Sequence, residues 1–422
     1  MASSFTYAPD ETWLPAGQPL VYTVSSQTSP LSAAFRFIIQ VEENGVEIAK
    51  LYLTPNPDEY AHFNLAEVVR GRVEVDSKKF GLASTIHSFN NKFFTKAEKG
   101  VKLYTVRVGE WNGSTESLNN DYLNIWLIDG HFQVRDGYLP SFSAYYGTGS
   151  TRKFWLTDRV PENNIHTLYA DIDDDGVVAF INTDDTGSTV VNMRIYIYNA
   201  SGVQQGSAID YSIDSTNGTY QANSNFTQST YVPGSLTYAY CYPSSITALK
   251  TALEAVTGGW GYYEVRPTDS VFAEKGNKLR IYNKCTGYKN EVVRIAWANT
   301  VGGWDYLKFN GKKQKTLTRE EKTYRKLLGT YNTDEYTFAS NDREIKPYQL
   351  EAKEQYQLNG ILTIEELTLL QYCMRSKNVM AKIGGTWLPV TIQTNSMQIE
   401  EETVSKVFVT SFNVELAQII RC

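Results

Sequence analysis

The last part of the chain, residues 361–418, carries the most specific folding signal in the sequence. Thr363 and Glu366 have the spacing of a capping box, in which the Thr hydroxyl and the Glu carboxylate each accept an otherwise unsatisfied amide at a helix start. Apolar residues then recur at spacings of three and four, so one face of the helix is expected to be buried. These residues are Ile364, Leu367, Leu370 and Met374.

A strand meander after this helix is expected to cover its apolar face. Residues 382–387 contain Gly384 and Gly385, which favour a hairpin turn because glycine tolerates positive φ. The final segment alternates in the manner of a half-buried strand. Its inward positions are Phe408, Thr410, Phe412, Val414 and Leu416.

Composition favours the same class of structure for the whole chain. The 422 residues include 29 Tyr, 18 Phe and 8 Trp, and aromatics make up 13% of the chain, whereas charged residues make up only 20%. Aromatic residues favour strands and broad contact surfaces. We therefore predict a mainly β, multi-domain chain of fibronectin- or immunoglobulin-like β-sandwiches, with a few short helices and the C-terminal helix and meander.

Length predicts about three domains. Residues 1–157 are predicted to form an N-terminal β-sandwich, in which Asn44 and Gly45 make a hairpin turn and residues 60–70 make a short helical turn. Residues 158–284 are predicted to form a middle fibronectin-like domain. It follows linker-like residues 157–164 and contains one helix, residues 244–258, with a Ser cap and a Gly stop.

Residues 285–422 are predicted to form a C-terminal β domain. Strands at 292–297 and 304–309 flank a Gly-rich loop and indicate a hairpin. Thr318 and Glu321 fit either a second capping box or an edge strand, and periodicity does not separate these two. The polar segment 329–358 is predicted to form a long β-arm.

Charge and hydropathy argue against nucleic acid and membranes as partners, and the cysteine spacing indicates the state of the thiols. A net charge of −6 argues against nucleic acid, because phosphate binding needs clustered Lys and Arg. The one basic run, 308–325, is interpreted as a solvated hairpin and first helical turn. No signal peptide and no stretch of 18 apolar residues is present, which predicts a protein made in the cytoplasm without membrane insertion. The four Cys are far apart and are expected to be reduced thiols.

Catalytic and metal-binding motifs give little support to an enzyme. Asp171–Gly176 contains the first half of a calcium loop, but its twelfth position is Asn182, where a bidentate Glu is needed. An acidic hairpin turn is therefore the preferred interpretation, and calcium binding stays open. The sequence contains no nucleophile elbow, zinc-protease motif, phosphate loop or dinucleotide fingerprint. We predict no catalytic residue, metal or cofactor.

Several segments resemble known proteins. Residues 49–57 and 63–69 resemble the N-terminal module of tail-associated virion proteins from tailed phages of Bacteroidetes hosts, and residues 153–159 resemble the end of that module. Cys285, with residues 295–299, 302–309 and 324–326, is similar to the most recognisable block of the same proteins. The C-terminal helix and residues 387–390 also look like elements of baseplate and distal tail proteins. The resemblance implies ring-forming connectors.

We therefore expect a virion structural protein, located in the tail or baseplate, that forms a homo-oligomeric ring and binds other tail proteins. Large aromatic side chains are the expected contact residues. The candidates are Trp297, Trp304, Tyr306, Phe309 and Trp387. The alternative is a receptor-binding subunit, or adhesin, whose exposed aromatics bind host-surface glycan. An enzyme that degrades such glycans is a further rival.

Overall fold

The computed structural model describes residues 3–9, 13–27, 31–78, 84–87, 93–130, 143–146, 152–182, 192–212, 220–221, 235–269, 271–284, 291–332, 334–394, 407–418 and 420–421. The chain is mainly β, with several β-sandwich sheets. It forms two compact units: Met1–Thr286 with Ala298–Asp305, and Gly287–Trp297 with Tyr306–Cys422. The predicted 157/158 boundary lies inside the first unit, and the three-domain division stays a prediction. No helix in the described part is long and apolar enough to cross a membrane.

Strands dominate the chain before residue 287. They are β1 (Ser3–Tyr7), β2 (Trp13–Pro15), β3 (Val21–Ser26), β4 (Arg36–Glu43), β5 (Val46–Leu53), β6 (Tyr60–Asn64), β7 (Phe94–Lys96), β8 (Val101–Trp111), β9 (Glu116–Ile128), β10 (Trp155–Leu156), β11 (Ile165–Ala170), β12 (Val178–Asn182), β13 (Asn192–Asn199), β14 (Gln204–Ser212), β15 (Tyr220–Gln221), β16 (Ser235–Ala239), β17 (Trp260–Thr268) and β18 (Lys278–Asn283). The helices are α1 (Ala66–Val69), α2 (Ser143–Tyr146) and α3 (Thr247–Glu254), with a 3₁₀ turn at Pro243–Ser245.

The first sandwich packs the sheet β2-β9-β8-β4-β5 against the sheet β1-β3-β6 around one apolar core. The predicted hairpin turn is confirmed, because Asn44 and Gly45 take positive φ values of 51° and 81° between β4 and β5. The predicted helical turn at 60–70 is only partly right. Residues 60–64 form β6, which pairs with β3, and the helix is the single turn α1.

The second sandwich consists of the sheets β10-β12-β16-β7-β15 and β11-β18-β17-β13-β14. Strand β7 comes from the segment expected in the first sandwich, yet it pairs with β16, about 140 residues further along the chain. Phe93, just before β7, stacks on Tyr211 of β14 with ring centroids 4.3 Å apart. Helix α3 lacks the predicted Ser cap, because its N-cap residue is Ile246 and Ser245 belongs to the preceding 3₁₀ turn.

After residue 287 the strands are β19 (Val293–Ala298), β20 (Trp304–Phe309), β21 (Lys313–Arg325), β22 (Thr330–Asn332), β23 (Glu335–Thr337), β24 (Ile345–Thr363), β25 (Val379–Ile383), β26 (Thr386–Ile392), β27 (Val407–Leu416) and β28 (Ile420–Arg421). One sheet has the order β20-β19-β25-β26-β27-β24-β21, with β28 paired to β24. Helix α4 (Ile364–Arg375) packs against it through Leu369, Leu370 and Cys373.

The C-terminal module has the predicted order of elements. Thr363 and Glu366 form the capping box at the start of α4, with both reciprocal hydrogen bonds present. Gly384 and Gly385 form the turn between β25 and β26. The predicted helix face is wrong at one position, because Ile364 is 55% exposed. Segment 318–325, left open between helix and strand, belongs to β21.

The two described cysteines, Cys241 and Cys373, are buried free thiols, and burial raises the pKa of both. Cys285 and Cys422 lie outside the described residues. A raised thiol pKa lowers the thiolate fraction at neutral pH, so Cys241 and Cys373 are packing residues and not nucleophiles.

Candidate interaction surfaces

The aromatic side chains predicted to form an interface are buried inside the chain. Trp297, Trp304, Tyr306, Phe309 and Trp387 are 0%, 1%, 4%, 2% and 6% exposed, respectively. A contact with a partner needs a side chain that solvent can reach in the free protein. The structure therefore corrects this prediction, and the five residues act as core residues.

Contacts within the second unit account for the burial of three of them. Phe309 stacks on Phe412 with ring centroids 5.6 Å apart and an interplanar angle of 7°. Tyr306 packs edge-on against Trp387, and the guanidinium of Arg294 lies 4.2 Å from the Tyr306 ring centroid. These aromatic and cation–π contacts stabilise the fold of the unit.

The tip of the β19–β20 hairpin, Ala298–Asp305, is held in the first unit by a buried polar network. Asp305 accepts hydrogen bonds from the Thr157 hydroxyl (2.5 Å), the Asp158 backbone amide (2.8 Å) and the Asn299 side-chain amide (3.1 Å). Burial raises the pKa of the Asp305 carboxyl, although these donors and Arg159 oppose the shift. The predicted linker spans residues 157–164. Its first two residues, Thr157 and Asp158, are fixed by these hydrogen bonds and are not a flexible connection.

The acidic turn Asp171–Gly176 is organised by protein groups. Asp174 accepts the backbone amide of Asp171 at 2.7 Å, and Lys250 forms an ion pair with Asp173 at 2.6 Å. The Ser245 hydroxyl accepts the amide of Gly176 at 3.1 Å. In the described part of the chain, no three His, Cys, Asp or Glu residues are grouped so that they could hold a metal ion.

An aromatic and charged surface lies on the outward face of the second sandwich, where β11, β18, β17 and β13 run side by side. We call it the Tyr–Arg face. Its members alternate along each strand with core residues such as Ile195 and Ile281. They are Tyr169, Arg194, Tyr196, Tyr198, Tyr262, Glu264, Arg266, Arg280 and Tyr282.

Four tyrosines form one row across this face. The strand register places Tyr169 opposite Tyr282, Tyr282 opposite Tyr262, and Tyr262 opposite Tyr198. Their ring centroids are successively 5.9, 5.3 and 4.6 Å apart, which is close to the spacing of neighbouring strands. The rings therefore stand beside one another, each with a face against its neighbour.

Charged side chains lie next to this row. Glu264, with a side chain only 5% exposed, forms ion pairs with Arg280 at 2.6 Å and with Arg266 at 2.5 Å. Burial raises the pKa of Glu264, but hydrogen bonds from Arg280 and Arg266 outweigh it, and the net pKa is lowered. The guanidinium of Arg280 lies 4.9 Å from the Tyr262 ring centroid, and that of Arg266 lies 4.3 Å from Tyr196.

The sequence reasoning missed the Tyr–Arg face, although a signal for it exists. The outward positions of three strands read Arg-x-Tyr-x-Tyr at 194–198, Tyr-x-Glu-x-Arg at 262–266 and Arg-x-Tyr at 280–282. Tyrosine and arginine at alternate positions are typical of a contact surface on a sheet. Their lateral order becomes visible only when the strand order is known.

A second candidate surface is the β-hairpin arm, which we define as residues 321–350. In the described residues, Ile345–Leu350 of β24 pairs with β21 alone, whereas β27 and β28 join β24 from Glu351 onwards. The paired section extends about 17 Å. The sequence predicts the arm at 329–358, but the structure places it earlier, because Tyr356 and Leu358 are buried in the sheet.

Large apolar side chains of the arm are exposed. Phe338, Tyr348 and Leu327 are 69%, 64% and 62% exposed. Tyr324, Tyr336 and Ile345 are also exposed. An isolated two-stranded hairpin is only marginally stable in water, so contacts outside the chain would stabilise the arm.

Comparison with known proteins gives no family. No protein-family model matches the chain, and no curated protein matches it. Among solved structures, the fibronectin(III)-like modules of Clostridium thermocellum CbhA are 7% identical, with a TM-score of 0.16, over 69% of this chain and 98% of theirs. A Salmonella alpha-2-macroglobulin mutant is 9% identical, with a TM-score of 0.21, and the match covers all of this chain but 30% of that one.

Proposed function

We propose that this chain is a structural protein of a tailed phage virion, located in the tail or baseplate, and that it forms a ring through contacts between copies and binds neighbouring tail proteins. The observation that carries the proposal is the arm, which presents apolar side chains to solvent on a hairpin with no core of its own. The resemblance to tail-associated proteins supplies the biological context, and it covers residues 49–57, 63–69, 295–299 and 302–309.

The chemistry of the arm supports a role in assembly. Exposed aromatic residues contribute large buried areas when a neighbour covers them, and they dominate interface energies. Charged residues of both signs surround them, as in the ion pair between Arg325 and Glu344 at 2.8 Å. Such a mixed apolar and charged surface fits the core and rim of a protein–protein contact.

The charged residues of the edge strand β21 explain why the exposed arm would not cause non-specific aggregation. All of its residues except Lys313 are exposed, and β21 ends the sheet. Lys315, Arg319 and Lys322 place charges along this open edge, which discourages uncontrolled strand pairing. The apolar part of the arm would therefore contact its partner through side chains and not through a new β-ladder.

The test measures the oligomeric state of the purified chain. Residues 327–344 are replaced by an Asn-Gly turn, which leaves the β21–β24 pairing and the buried residue Tyr356 in place. Wild type is expected to form one closed assembly in native mass spectrometry at micromolar concentration, and the shortened chain is expected to be monomeric. Deletion of 329–358 would be a poor test, because it also removes core residues.

Matched point variants separate the arm from general surface hydrophobicity. The double variant Phe338→Ser and Tyr348→Ser should weaken assembly, whereas Val160→Ser and Val271→Ser, at positions 88% and 78% exposed elsewhere, should leave it unchanged. A wild-type chain that stays monomeric, or an assembly that survives loss of the arm tip, would refute the proposed mechanism. Location in the virion is tested separately, by fitting the chain into a density map of a particle.

The alternative, a receptor-binding subunit that recognises host-surface glycan, stays a prediction. A glycan array with the purified chain tests it directly. Strong binding of one glycan class, together with no self-association, would favour that alternative over a tail-building protein.

A further inference from the structure

We infer that the Tyr–Arg face is a second binding surface, separate from the arm, and that it binds a carboxylate-rich segment of another polypeptide. The inference goes beyond the proposed assembly function, because it assigns a partner chemistry to a surface that the arm does not include. It rests on the charge excess of the face, on its ring geometry and on its rigidity.

The face carries more cations than carboxylates, although the chain as a whole has a net charge of −6. The count includes the charged neighbours of the face as well as its members: the cations are Arg194, Arg266 and Arg280 of the face, with Lys284 over the Tyr169 ring and Lys278 paired with Glu274 beside it. Against these five cations stand three carboxylates, namely Asp210, Glu264 and Glu274. The excess of two positive charges on an acidic protein favours an anionic partner.

The orientation of the tyrosine rings also favours an anionic partner. Tyr262 has one neighbour ring at 4.6 Å, another at 5.3 Å and a guanidinium at 4.9 Å, so its faces are covered. Ring edges and hydroxyls therefore remain for a ligand. Aromatic edges carry the positive part of the ring quadrupole, and tyrosine hydroxyls donate hydrogen bonds, so both attract carboxylates.

Ring geometry also argues for a polypeptide over a sugar. Sugars pack their C–H groups on the negative faces of aromatic rings, and neighbouring rings occupy both faces of Tyr262 and Tyr282 here. Tyr196 is covered in the same way by Arg266, whose guanidinium lies 4.3 Å from its centroid. A row of hydroxyls and guanidinium groups about one strand spacing apart fits successive acidic side chains.

Hydrogen bonds within the face fix its groups before any partner arrives. Arg280 donates to the Tyr282 hydroxyl at 3.2 Å as well as to Glu264, and Arg266 donates to the Tyr198 hydroxyl at 3.3 Å. Side chains that are already ordered lose little entropy on binding. The face is therefore organised for recognition and does not have to rearrange.

The experiment uses the full-length chain and a fluorescein-labelled 20-residue poly-L-glutamate peptide, with anisotropy measured at low and moderate salt. Binding is expected at low salt and should weaken as salt rises. Arg280→Gln should weaken it at least tenfold. Tyr282→Phe keeps the ring and the charge of the face but removes the hydroxyl, so it should weaken binding severalfold. Circular dichroism checks that each variant is folded.

A matched pair of lysine variants provides the control. The Lys284 ammonium lies 5.9 Å from the Tyr169 ring centroid on the face. The Lys315 ammonium, on β21, lies 5.7 Å from the ring centroid of Tyr356 on β24. Lys284→Gln should weaken peptide binding, whereas Lys315→Gln should not. Absence of binding to wild type, equal losses in both lysine variants, or binding of the uronate polysaccharide alginate in place of the peptide would each overturn the inference.

Discussion

The indole N–H of Trp304 donates to the backbone carbonyl of Asp76 over 2.9 Å, although 228 residues separate them in the chain. Asp76 in turn accepts the amides of Glu98, Lys99 and Gly100, and the hydroxyl of Tyr238. Burial raises the pKa of the Asp76 carboxyl. The hydrogen bonds from these donors lower the pKa, but they do not outweigh the effect of burial. A tryptophan that the sequence offers as a surface anchor thus joins three distant segments of the first unit.

Replacing Trp304 by Phe should destabilise the first unit. The change removes an indole donor and leaves a cavity in a site where the side chain is 1% exposed. We expect a loss of about 2–4 kcal/mol, measured as a shift of the urea midpoint. Trp111→Phe, at a half-buried position that contacts Tyr52, is the control and should cost about 1 kcal/mol or less. Equal losses would show that the Asp76 contact is unimportant.

Gly302 should tolerate no side chain. Its φ is +85°, and an added Cβ would lie 2.3 Å from Cγ1 of Ile128. Backbone strain and steric overlap together should make Gly302→Ala cost about 2–5 kcal/mol. Gly385 has a φ of +81° with open space around it, so Gly385→Ala tests the strain alone and should cost about 1 kcal/mol. Thermal unfolding of both variants separates the two contributions.

Glu264→Gln should make stability less sensitive to acid. Because the folded pKa of Glu264 is lowered, its contribution is present above the unfolded value of about 4.3 and disappears as pH falls through the folded value. At pH 7 the variant should lose about 2–3 kcal/mol, because Arg266 and Arg280 lose their shared counter-charge.

The difference between wild type and Glu264→Gln should therefore shrink below about pH 4. Urea titrations at a series of pH values measure it. Glu116→Gln is the control, because Glu116 is an exposed carboxylate paired with Lys50 at 2.9 Å, and it should change stability far less. A difference that stays constant down to pH 3 would contradict the assignment of charge to Glu264.

Chelation should leave the chain stable. The acidic turn Asp171–Gly176 is held by Lys250 and by hydrogen bonds from protein groups, so removing divalent cations with EDTA should not change its structure. Calorimetry with and without EDTA should give the same midpoint. A fall of more than about 5 °C, on the order of 1 kcal/mol or more, would instead indicate a bound metal.

Local features were predictable from the sequence because nearby residues create them. The turn at Asn44 and Gly45, the capping box of Thr363 and Glu366, and the alternation from Phe408 to Leu416 each depend on a few neighbouring positions. Their chemistry is the same in any protein, since backbone sterics and hydrogen-bond geometry fix it. The mainly β class follows from many such segments.

Tertiary structure alone decided which aromatic residues are core and which are surface. Alternating aromatic residues in a strand predict that one face of the strand is buried. Either the core of the chain or a partner protein can bury that face, so the sequence could not assign Trp297 and Trp387 to the core or to an interface. Similarly, Tyr169 and Tyr198 become ends of one row only because four strands from distant parts of the chain lie in one order. Local periodicity fixes the direction of a side chain relative to its strand, whereas its neighbours depend on which strands pair.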